Sequence, residues 1–69
     1  MNTKKELLES LVGKKLRVVS VENYIHILVS KYHDYQEKII EVGDELFKVK
    51  SGNLIHYYNI DSFHSFTKD

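Results

Sequence analysis

The chain has 69 residues, ten basic and ten acidic side chains, a formal net charge of zero at pH 7 and no cysteine. That length fits a single domain, 1–69, which hides only about 60% of its unfolded surface on folding, so its core needs support that disulfides and thiolate metal sites cannot supply here. Charge balance argues against a free-standing nucleic-acid binder, which would show a basic excess, and a small neutral domain is expected to find its support in a homo-oligomer or a protein partner.

Thr3-Lys4-Lys5-Glu6 has the form of a capping box, in which the Thr3 hydroxyl accepts from the Glu6 amide and the Glu6 carboxylate reaches back. Leu7, Leu8, Leu11 and Val12 then share one helical face, and Gly13 stands where a left-handed terminal residue is wanted. The spacing predicts a helix over about 4–12. A helix of that length is unstable alone in water, so its leucine face must pack on the rest of the domain.

From Lys14 the period changes from 3.6 to 2: Leu16, Val18 and Ser20 alternate with Arg17, Val19 and Val21 in a first strand, with Lys14, Lys15 and Arg17 at its start. Glu22-Asn23 is a tight turn into a second strand, Tyr24 to Val29. A long helix from about Tyr24 to Glu41 competes, because Ile25, Leu28, Val29, Tyr32, Gln36, Ile39 and Ile40 also fit a helical stripe. The strand is preferred because β-branched and aromatic residues dominate the stretch; Ser30 to Gln36 reads either way.

Two turn signals, Gly43-Asp44 and Ser51-Gly52-Asn53, divide the rest into a meander. Its strands are Lys38 to Val42, Glu45 to Lys50 and Leu54 to Ile60. Asp61-Ser62 interrupts before a short terminal strand, Phe63 to Phe66. In Glu45 to Lys50, Phe47 and Val49 face one side and Lys48 and Lys50 the other, the pattern of a sheet wetted on one face. No apolar run exceeds Ile27-Leu28-Val29, far short of the ~20 residues that span a bilayer, and no apolar stretch follows Lys4-Lys5 as a secretory signal requires. A cytoplasmic protein without membrane contact is the expectation.

One short helix followed by five or six short antiparallel strands is the plan of the small Sm-like and SH3-like barrels. The resemblance is carried by Leu11-Val12-Gly13-Lys14-Lys15-Leu16, by Val42-Gly43-Asp44-Glu45-Leu46-Phe47, and by Tyr57-Tyr58-Asn59-Ile60-Asp61-Ser62-Phe63-His64-Ser65-Phe66. The last tract is similar to the ending of little-characterised Sm-like barrel proteins from Gram-positive bacteria. The resemblance implies a mostly β small barrel, an N-terminal helix across one opening, and assembly into a dimer or ring by strand pairing. Two departures stand out: no glycine interrupts Tyr24 to Tyr32, and Glu45-Leu46-Phe47 follows Asp44 where Sm proteins place a Met-Asn pair that holds RNA. No RNA site carries over.

The four histidines, His26, His33, His56 and His64, lack a helical i, i+4 zinc spacing and are expected to hold no metal. Asp61, Ser62 and His64 supply the residue types of a hydrolase, but neighbours on a strand point to opposite faces, so a bulge would be needed to gather them. Lys14, Lys15 and Arg17, with Lys4 and Lys5 and a tyrosine such as Tyr24, Tyr32 or Tyr35, offer phosphate contacts and a stacking platform for a single-stranded nucleic acid. The acids Glu6, Glu9 and Glu22 are interleaved with them, which favours a solvated face. Of the adjacent pair Tyr57 and Tyr58, one ring points inward and the other outward to an interface. The expectation is therefore a non-enzymatic interaction or structural module, self-associating through strand edges and needing no cofactor. The alternative is an Sm-like RNA-binding protein.

Overall fold

The computed structural model describes residues 3–69. Helix α1 (Thr3–Ser10) leads into six strands: β1 (Lys15–Val21), β2 (Tyr24–Val29), β3 (Glu37–Val42), β4 (Leu46–Ser51), β5 (Leu54–Asn59) and, after a 3-10 turn at Ile60–Ser62, β6 (Phe63–Lys68). Residues 24–29 are strand, and Ser30 to Gln36 is an irregular connection, so the long-helix alternative does not hold. Thr3 is itself helical rather than preceding the helix, and the residue before it lies outside the described ones.

Gly13 ends the helical segment at φ +85°, the left-handed conformation that its lack of a Cβ permits. Its amide donates to the Ile39 carbonyl at 3.2 Å, tying the end of the segment to β3. Leu8 and Leu11 are buried and Leu7 is half-buried against the core. Val12, expected on the same face, is instead 42% exposed because the chain has left the helix by that point. Lys5 Nζ reaches Asp44 Oδ1 in the β3–β4 turn at 2.7 Å, fixing the helix over that turn.

The strands form one sheet in the order β5-β4-β3-β1-β2-β6. β1 belongs to both halves of it. Lys15 and Leu16 pair with Lys38 and Glu37 of β3, whereas Arg17 to Val21 pair with β2 down to the Glu22-Asn23 turn. Leu16, where β1 passes from one set of partners to the other, is fully buried, and the core consists of Leu8, Leu11, Leu16, Ile25, Ile27, Ile39, Phe47, Val49, Ile60 and Phe63. Burying one such side chain contributes about 1.5–3 kcal/mol, and no buried side-chain nitrogen or oxygen goes unpaired among the described residues.

Two expectations need correction. The strands are not all antiparallel: β6 runs parallel to β2. Nor is the sheet closed into a barrel, because β6 pairs with β2 and leaves both β5 and β6 as edges. The physical reason lies at Ile60, which is 2% exposed and whose amide donates to the Glu45 carbonyl at 2.9 Å. That anchor turns the chain inward after β5, and Phe63, likewise buried, carries it across the core to the far side of the sheet. β5 ends facing the β1–β2 turn across an opening of about 230 Å³ lined by Ser20, Glu22, Asn23, Tyr57, Tyr58 and Asn59.

Candidate functional site

β4 and β5 form a hairpin joined by the two-residue turn Gly52-Asn53, with Gly52 at φ +62°. In such a hairpin the residues flanking the turn exchange their backbone hydrogen bonds, and the pattern alternates from there. Leu54, His56 and Tyr58 thus direct their backbone groups at β4, while Ile55, Tyr57 and Asn59 direct theirs out of the sheet. The same alternation sets their side chains. Tyr58, opposite the buried Phe47, turns inward with its ring 5.5 Å from that of Phe47; Tyr57, opposite Lys48, turns outward and is 61% exposed.

β5 is exposed on both of its faces. Ile55 and Tyr57 lie on the outer face, Leu54 and His56 on the inner one, where no element covers them; Leu54 is 64% exposed and Ile55 50%. The strand Leu54-Ile55-His56-Tyr57-Tyr58-Asn59 contains no proline and no Lys, Arg, Asp or Glu, the residues that usually blunt an edge. Lys48 Nζ lies over the Tyr57 ring, 5.6 Å from its centre, and 3.4 Å from Glu41 Oε1. Burial raises the Tyr58 hydroxyl above the ordinary tyrosine pKa, and the charge of Glu37 adds to the shift.

The basic residues named as a candidate nucleic-acid surface fall on different elements. Lys14 lies in the turn before β1, and Lys15 and Arg17 on its outer face; Lys15 approaches Asp34 at 3.7 Å. Lys4 donates to the Asp61 carbonyl at 3.1 Å and Lys5 to Asp44. Tyr24 stands on β2, while Tyr32 and Tyr35 sit in the connection before β3, where Lys31 lies over Tyr32 and His33 stacks on Tyr35.

His26 and His64 do come together. A bulge in β6 sets both His64 and Ser65 against His26, so the imidazoles meet edge to face at 5.4 Å, His64 also touches the Tyr24 ring at 5.1 Å, and His26 Nδ1 hydrogen-bonds Ser65 Oγ at 2.7 Å. The bulge that a hydrolytic trio would need is present, yet its effect is to place His64 against aromatic rings. Among the described residues no three His, Asp or Glu side chains converge on a point that would hold a metal ion. No helix among them is long and apolar enough to cross a membrane.

Leu54 went unrecognised in the sequence as part of this surface. Its apolar character reads as core, and only the register that sets it opposite Ser51 at the turn end of the hairpin exposes it. Comparison with known protein families, characterised proteins and solved structures finds no match.

Proposed function

We propose that the protein is a non-catalytic interaction module that self-associates through the outer edge of β5. The observation that carries this reading is an edge strand with outward backbone groups and three exposed apolar side chains, Leu54, Ile55 and Tyr57, unprotected by charge or proline. The second copy pairs antiparallel about a two-fold axis. Such an axis sets each residue of the strand against residues of the same strand, so a charged edge would oppose its own sign; β5 carries none of the four fully charged side chains. Pairing also covers Leu54 and Tyr57, the support that a domain of this size lacks on its own.

A kinship with the small Sm-like and SH3-like barrels belongs to the same proposal: the second copy supplies at β5 the neighbour that closure of a barrel would supply within one chain. So does a cytoplasmic setting, which suits a chain with no cysteine.

Light scattering on a sizing column over a concentration series tests the reading. The expected mass is twice the 8.1 kDa of the chain. It should change little with salt, because backbone pairing and apolar contact are not screened. Ile55→Lys should return the single-chain mass, and a wild-type monomer at the highest concentration reached would overturn the proposal.

A further inference from the structure

Register places three lysines in a single row. Lys15 of β1 stands directly opposite Lys38 of β3, and Lys38 directly opposite Lys50 of β4. All three lie on the outer face, since their neighbours Leu16, Ile39 and Val49 point into the core. Strands lie about 4.7–4.9 Å apart, so the outer two stems rise only about 10 Å from each other with the third between them. Like charges directly opposite destabilise a ladder, and here the repulsion is repeated across two successive strand pairs.

The chain does little to offset it. No hydrogen bond or ion pair engages Lys38 or Lys50 among the described residues, and Lys15 has only the 3.7 Å approach to the exposed Asp34. Glu37, adjacent to Lys38, directs its carboxylate elsewhere: Oε1 accepts from the Val18 amide at 3.4 Å. The three lysines line a surface cavity of about 300 Å³ whose wall is completed by Gln36 and Gly52. Gln36 is held there by its own Nε2, which donates to the Asp34 carbonyl at 3.2 Å, and Gly52 adds no side chain to close the opening.

From this row of three lysines around one cavity, Lys38 and Lys50 without an ionic partner among the described residues and Lys15 with only the exposed Asp34, we infer that the protein binds a compact oligophosphate anion between Lys15, Lys38 and Lys50. An ammonium group is a compact charge on a flexible stem that meets phosphate oxygens without a fixed fork geometry. Three stems so close together converge on one multiply charged group, and the ligand offsets the repulsion within the row. This site is separate from the β5 edge, so it stands whether or not the chain self-associates.

Pyrophosphate is the probe, tested by calorimetry and thermal unfolding at low ionic strength, with sodium chloride at matched ionic strength as the control. Pyrophosphate should raise the unfolding midpoint of the wild type, inorganic phosphate should raise it less, and chloride should leave it unchanged. Lys38→Gln relieves two repulsions at once. It should raise the midpoint of the free protein while weakening pyrophosphate binding at least tenfold, two opposite effects that a merely solubilising lysine would not produce together. Lys50→Gln should weaken binding similarly, and Lys31→Gln, on the connection before β3, should not. Absence of a pyrophosphate effect in the wild type overturns the inference, as does full binding by Lys38→Gln. A single-stranded oligothymidylate distinguishes a phosphodiester source of the same chemistry: displacement of pyrophosphate by it supports a shared phosphate site, whereas oligothymidylate binding without any pyrophosphate binding overturns the compact ligand.

Discussion

The two edges of the sheet are built on opposite principles. β6 is an edge in hydrogen bonding but an interior element in packing: Phe63 is buried, Phe66 packs against the core, and the strand carries a bulge at His64 and a lysine, Lys68. β5 is the reverse, regular in its pairing with β4, uncharged, and buried nowhere along its length except partly at Tyr58. A bulge and a charge hinder the addition of another strand. The edge that contributes side chains to the core also carries the bulge and the lysine. The edge that stays largely outside the core carries neither.

The largest effect that would sharpen this contrast is on stability. Phe63→Ala should cost about 3–5 kcal/mol by the range for buried aromatic truncations, enough to unfold much of a 69-residue domain at ambient temperature. Leu54→Ala at the other edge should stay within about 0.5 kcal/mol, as exposed substitutions do. Urea midpoints of the two variants, measured at low protein concentration, make the comparison; equal losses would break it. Next in size is association. Tyr57→Lys should weaken self-association by more than tenfold and leave the low-concentration urea midpoint near that of the wild type, whereas Thr67→Lys on β6 should change neither.

A smaller effect is expected at the turn that faces β5. Glu22 adopts φ +56° in the Glu22-Asn23 turn, a conformation that costs an L-residue roughly 1–2 kcal/mol and glycine little. Glu22→Gly should therefore stabilise the protein by up to about 1 kcal/mol, net of the extra freedom glycine adds to the unfolded chain, and raise the thermal midpoint. A fall in the midpoint would mean that the Glu22 side chain contributes more at the opening than its backbone strain removes.

The contrast between the edges was only half legible in the sequence. Alternation required that one of Tyr57 and Tyr58 turn inward, the pairing of Tyr58 with Phe47 decided which, and turns at Glu22-Asn23 and within Ser51-Gly52-Asn53 follow from residue type. Strand order did not follow. The parallel union of β2 with β6 depends on Ile60 anchoring beside Glu45, a contact between residues 15 apart that no local pattern encodes. The meeting of His26 with His64, and the row formed by Lys15, Lys38 and Lys50, depend in turn on that order and on register, which is shifted by one residue in β3 and again in β6. Periodicity reports the face of a residue; only pairing reports its neighbour across the sheet.

Tyr58 gives the finest test, because it is the one point at which β5 enters the core. Its hydroxyl pKa is raised above the ordinary value of 10.0, first by burial and second by the negative charge of Glu37. A raised folded-state pKa means that the neutral hydroxyl is favoured in the native protein. The corresponding stability is complete below the unfolded pKa and is lost as pH rises through the folded one, so the alkaline limb of the stability profile above about pH 10 should steepen on account of Tyr58. Tyr58→Phe keeps the ring on Phe47 and should flatten that limb without shifting the neutral-pH midpoint. The difference in phenolate absorbance between wild type and this variant isolates the group.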